Sequence, residues 1–128
     1  MKKEVIQTDK APKAIGPYSQ GVRVGNLLFT AGQIPIHPET GEVEEKDIQK
    51  QTERVLKNLE GVLEEGGAKL DDVVKTTVFL TDLNDFGKMN EVYGRFFLKN
   101  PPARSTVEVR NLPRGVKVEI EAIAHLTS

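Results

Sequence analysis

The chain contains no cysteine and no tryptophan. Without cysteine there can be no disulfide, no zinc–thiolate site and no thiol nucleophile, which agrees with a reducing compartment. Aromatic residues make up only 5% of the chain, too few for a platform that stacks bases. The histidines, His37 and His125, lie far apart and share no ligand spacing, so no metal site is expected. An excess of charge of one sign is also missing. Net formal charge is −1 with acids and bases interspersed, and no basic run forms a footprint for nucleic acid. Long hydrophobic runs are absent. The apolar stretch near the start is only Val5-Ile6, so no signal-peptide core is read there. No segment approaches the roughly 20 apolar residues of a membrane span. Phosphate-cradling glycine motifs and the G-x-S-x-G elbow are lacking, which leaves nucleophilic catalysis without a candidate. The expectation is a cytoplasmic protein that binds neither nucleic acid nor membrane.

What is present fits one domain, residues 1–128. Residues 3–8 suggest a short strand. Pro12, Gly16 and Pro17 make 11–18 a loop. Residues 20–24 and 27–34 read as strands joined by Gly25-Asn26. Asp47 can cap a helix whose stripe is Ile48, Val55, Leu59 and Val62, widened by Leu56 and Leu63, and Gly66-Gly67 stops it. The β-branched run 73–81 reads as a strand. Asp82 or Asn84 then opens a second helix with Phe86, Met89, Tyr93 and Phe96 as its stripe. Gly87 and Gly94 weaken that helix by roughly 1 kcal/mol each.

The last third reads as a hairpin of residues 104–110 and 116–125. In the second strand Val116, Val118, Ile120, Ala122 and Ala124 share one face, with Lys117, Glu119 and Glu121 on the other. In the first, Arg104, Thr106 and Glu108 oppose Ser105, Val107 and Val109. Two helices on one face of one mixed sheet make an α+β layer fold. The other face is expected to carry Arg104, Glu119 and Glu121, and to be solvated or packed against a neighbouring subunit.

Few residues suggest chemistry. Arg104 follows the stiff Pro101-Pro102-Ala103 and offers a planar fork for a carboxylate. It serves equally well as an ion-pair partner of Glu119 or Glu121 across the hairpin. Glu119 and Glu121 stand two apart on one face. Nothing near them builds a sugar cleft, so glycosidase chemistry is rejected and a solvated or interfacial face is the plainer reading. Tyr18, on the Gly16-Pro17 loop, presents a hydroxyl to a ligand or packs on the rim. Gly32 marks a bulge or a close approach to the backbone. Asn90 reads as a surface residue of the second helix.

Six segments together resemble the RidA or YjgF-like reactive intermediate deaminase family. They are 14–21 (AIGPYSQG), 30–35 (TAGQIP), 72–80 (DVVKTTVFL), Asn84-Asp85-Phe86 with Asn90 and Tyr93, 102–105 (PARS), and 118–124 (VEIEAIA). They fall in family order along nearly the whole chain. The resemblance implies a chorismate-mutase-like subunit, a homotrimer, and sites in clefts between subunits. It implies Arg104 as the carboxylate anchor, helped by the Thr106 amide, with Tyr18, Gly32, Asn90 and Glu119 in the pocket. The implied substrates are 2-imino and 2-keto acids, with no cofactor. Two positions depart from the deaminating branch, which often has cysteine where this chain has Thr106 and serine where it has Ala31. If this chain is active, a cysteine there is no obligatory nucleophile, and the change at Ala31 bears on rate and substrate range. A ketoacid-binding protein without turnover is the alternative. A ribonuclease or translation inhibitor fits poorly with the near-neutral charge.

Overall fold

The computed structural model describes residues 2–127. Six strands form one mixed sheet in the order β1-β2-β3-β6-β4-β5. β1 (Lys3–Ile6), β2 (Gly21–Val24) and β3 (Leu27–Thr30) make an antiparallel meander. Gly25, at φ +59, takes the first turn position between β2 and β3, where a left-handed residue matches the twist of the strands. α1 (Ile48–Glu65) starts where expected, because the Asp47 carboxylate accepts a 2.7 Å hydrogen bond from the Gln49 amide. Gly67, at φ +88, turns the chain away at its far end.

β4 (Val73–Leu80), α2 (Phe86–Phe96), β5 (Ala103–Glu108) and β6 (Val118–His125) follow. Asp82 caps a short 3-10 turn over Leu83–Asp85, through a 2.9 Å bond from the Asn84 amide. The second α-helix therefore begins at Phe86, later than its sequence signals suggest. Its buried residues are Met89, Val92 and Tyr93, while Phe86 stays partly exposed.

The last-third hairpin does not form. β4 lies between the two strands, parallel to β5 and antiparallel to β6. Each strand alternates as its pattern predicts, but alternation does not name the partner. β5 continues against β4, with the Val109 amide donating to Leu80 O at 2.8 Å.

One core lies between the helices and one sheet face. It joins Val55, Leu59 and Val62 of α1 to Leu28, Val78, Leu80, Val118 and Ile120 of the sheet. The opposite face carries no helix. Leu27 and Phe29 there are each 40% exposed and Val107 42%. Among the described residues, no helix is long and apolar enough to cross a membrane.

Candidate functional site

The register puts Arg104 opposite Thr76, and Thr76 opposite the buried Ala122. Arg104 therefore faces the helix layer, not the open face expected of it, and the same parity turns Thr106 and Glu108 that way. No ion pair with Glu119 or Glu121 is possible across the sheet. The ion pairs among the described residues are Lys10–Glu64 and Lys57–Glu53. The guanidinium carbon of Arg104 instead lies 4.7 Å from the Tyr93 ring centroid and 5.3 Å from that of Phe86. Phe86, Asn90, Tyr93 and Phe97 fall at helical spacing along one stripe, which brings Asn90 beside Arg104. Asn90, Tyr93, Gly94, Phe97, Pro101, Pro102 and Arg104 line an open groove of about 460 Å³.

Thr106 stands two residues along the same edge strand. Amides alternate sides along a strand. Since the Val109 amide points to β4, that of Thr106 points to the open edge, with no strand beyond it among the described residues.

Glu119 sits on the other face, opposite Phe79. Its surroundings are built by a bulge. Phe29 pairs with Ile123 and Gln33 bridges Ile120, so residues 30–32 span the distance that 121–122 span on β6. The Thr30 hydroxyl fills the gap by accepting the Ala122 amide at 3.0 Å. The bulge lays Gly32 against the carboxylate: a β-carbon on Gly32 would lie 2.9 Å from Cδ of Glu119 and nearer still to its Oε2. Gly32 is thus a bulge and a close approach at once. Burial, and after it the charge of Glu121, push the Glu119 carboxyl above the usual carboxylate range.

Tyr18, Gly32 and Glu119 share a largely apolar pocket of about 550 Å³, walled by Ile15, Ile34 and Pro113. Tyr18 is 54% exposed, and its hydroxyl accepts a long 3.4 Å bond from the Ile15 amide. Gln20, which also lines the pocket, holds the wall in place. Its amide bonds the Thr8 amide at 2.7 Å and the Pro12 carbonyl at 2.7 Å, tying the 8–12 loop to β2. Lys13 and Arg114 stand at the same pocket.

The expected residues therefore gather in two places. Arg104, Thr106 and Asn90 lie at the β5 edge on the helix side, and Tyr18, Gly32 and Glu119 lie on the open face. Sequence reasoning missed Phe86 and Tyr93 as neighbours of Arg104 because helical spacing marked them only as core. It missed Gln20 because a glutamine beginning a strand carries no signal of burial. Among the described residues no group of three or more histidine, aspartate or glutamate side chains is close enough to hold a metal ion.

Residues 8–126 match the family described as endoribonuclease L-PSP. A RutC family protein of Pyrococcus abyssi is 62% identical over 125 residues, covering 98% of each chain. The 2-iminobutanoate/2-iminopropanoate deaminase of Escherichia coli K12 is 52% identical over 124 residues, covering 94% of this chain and 96% of that protein. The crystal structure of E. coli TdcF with bound serine superposes with a TM-score of 0.93 at 48% identity, covering 97% and 99% of the two chains. With the match spanning nearly its whole length, the chain belongs to the endoribonuclease L-PSP family, the YjgF or RidA-like proteins.

Proposed function

We propose that this chain, acting as one domain over residues 1–128, hydrolyses 2-imino acids and their enamine tautomers. The substrates are 2-aminoacrylate and 2-aminocrotonate, and the products are 2-keto acids and ammonia. The observation that carries the reading is a half-buried arginine with no acidic partner among the described residues, stacked on two rings beside an open groove. Such a guanidinium keeps its donors for a ligand carboxylate. The deaminase name of the E. coli relative supports the reaction class.

In this reading Arg104 grips the carboxylate, with the Thr106 amide as second donor and Asn90 beside it. Glu119 takes a proton from water while the water oxygen bonds to C2, which is electrophilic as an iminium next to a carboxylate. Tyr18 positions the water or the substrate. Glu119 then returns its proton to the carbinolamine nitrogen and accepts the hydroxyl proton as the C–N bond breaks, so that ammonia leaves and the C=O bond of the ketone forms. A carboxyl held above the usual range is better matched to this base role than an exposed one. Because Arg104 and Glu119 occupy opposite faces of one sheet, the reaction draws them from different copies in a homotrimer. The result in the cell is protection of pyridoxal-phosphate enzymes.

A coupled assay tests this. An amino acid oxidase generates the imine, semicarbazide traps it, and the protein competes with the trap. Suppressed semicarbazone formation that Arg104→Ala abolishes is the expected outcome. Ketoacid binding with no competition against the trap would leave a binding protein and remove the enzyme.

A further inference from the structure

Tyr93 is 5% exposed, and its hydroxyl lies 2.6 Å from that of the fully buried Thr76. Thr76 is in turn the cross-strand neighbour of Arg104. The three residues close a triangle: the strand pair sets the spacing of Thr76 and Arg104, Thr76 holds the phenol, and the phenol ring faces the guanidinium. Phe97 backs the ring at a centroid distance of 4.7 Å, and Phe86 offers a second ring to the guanidinium.

The geometry points to Tyr93 as the positioning residue of Arg104, with Thr76 as the latch that sets the ring. This rests on the reading of Arg104 as the carboxylate anchor. The chemistry of the partner is the reason. A carboxylate would orient the guanidinium by occupying its N–H donors. An aromatic face attracts the cation through its π-cloud and leaves most of the five N–H donors along the edge of the fork free. An unsupported arginine would spend side-chain freedom each time it bound, and a stacked one is ordered beforehand. Burial pushes the Tyr93 phenol above its ordinary value, against the smaller effects of the Thr76 hydrogen bond, the Arg104 charge and a side-chain hydrogen bond to Arg104.

The test is calorimetric titration with 2-ketobutyrate, beside steady-state imine hydrolysis. Tyr93→Leu removes the ring face and is expected to weaken ketobutyrate binding about tenfold. Tyr93→Phe and Thr76→Val, which loosen the latch and keep a ring, are expected to weaken it about threefold. KM should rise while kcat holds, because the anchor grips substrate and transition state alike. The acidic limb of the pH–rate profile, set at Glu119, should not move. In an Arg104→Lys background Tyr93→Leu should add little, since no planar fork remains to orient. If Arg104→Ala loses binding but folded Tyr93→Leu binds within twofold of the unsubstituted protein, the positioning role is overturned. Should Tyr93→Leu not fold, unchanged binding in Tyr93→Phe and Thr76→Val overturns it equally. If Arg104→Ala itself binds normally, the anchor reading fails, a separate result.

Discussion

Arg104 and Glu119 are prepared in opposite ways. The arginine has no counter-ion among the described residues and is supported by rings, whereas the glutamate is half-buried beside a like charge. If Glu119 is the base, turnover must fall as pH drops through its raised pKa, so the acidic limb lies above the ordinary carboxylate range. Glu121→Gln removes the repulsion and should move that limb to lower pH, which a pH–kcat series would show. The same shift has a stability consequence. A carboxyl raised in the folded state contributes stability below its unfolded pKa and loses it as pH rises through the folded one. Glu119→Gln is therefore expected to raise Tm at neutral pH while lowering kcat about 10²-fold. A melt and a rate measured on the same preparation check both parts. Gly32→Ala carries a different expectation. Its methyl collides with the Glu119 carboxylate, so the fold should survive at a cost of about 1–3 kcal/mol while turnover collapses. An active Gly32→Ala would show that the carboxylate works from another position.

At the scale of elements, α1 does more than cover the sheet. Its buried Asn58 donates to the carbonyls of Ile34, at 3.2 Å, and Ile36, at 2.9 Å, two residues that wall the Glu119 pocket. Its buried Gln51 accepts the Lys117 amide at 2.8 Å, two residues before Glu119. Asn58→Ala leaves both carbonyls without that donor and should cost about 1–3 kcal/mol in denaturant unfolding. KM should rise with it, because the pocket wall loosens. β5 is the other informative element. Its half-buried positions are Arg104 and Thr106, while Val107 is left exposed on the open face. That polarity is reversed for a lone subunit.

For the whole molecule, the uncovered sheet face exposes Leu27 and Phe29 on β3 and Val107 on β5, the last in register with Phe79 and Glu119. Apolar patches of this kind mark association surfaces, which is the ground for the proposed homotrimer. Sedimentation equilibrium should give three times the subunit mass at micromolar concentration, and a stable monomer would defeat the shared-site mechanism. A sharper measurement mixes subunits. Co-refolding Arg104→Ala with Glu119→Gln in equal amounts restores interfaces with both intact residues at about one in four, given closed symmetry and random assembly. Activity should recover to about a quarter of the unsubstituted level. No recovery would place both residues in one subunit's site.

Local chemistry settles much of this protein independently of its tertiary fold. The Asp47 cap, the α1 stripe, the β-branched run of β4 and the alternation of β6 were legible because each depends on neighbours a few residues away. The residue types of the candidate site were legible too, through segments that resemble a family. Tertiary structure alone decided the rest. Whether β6 pairs with β5 or β4 depends on which strand fills the centre of the sheet, and alternation is blind to that choice. The choice sends Arg104 to the helix side and leaves Glu119 on the open face. It also puts Tyr93 under the guanidinium, because only the packing of α2 on β4 brings a helix stripe and a strand edge within reach of each other.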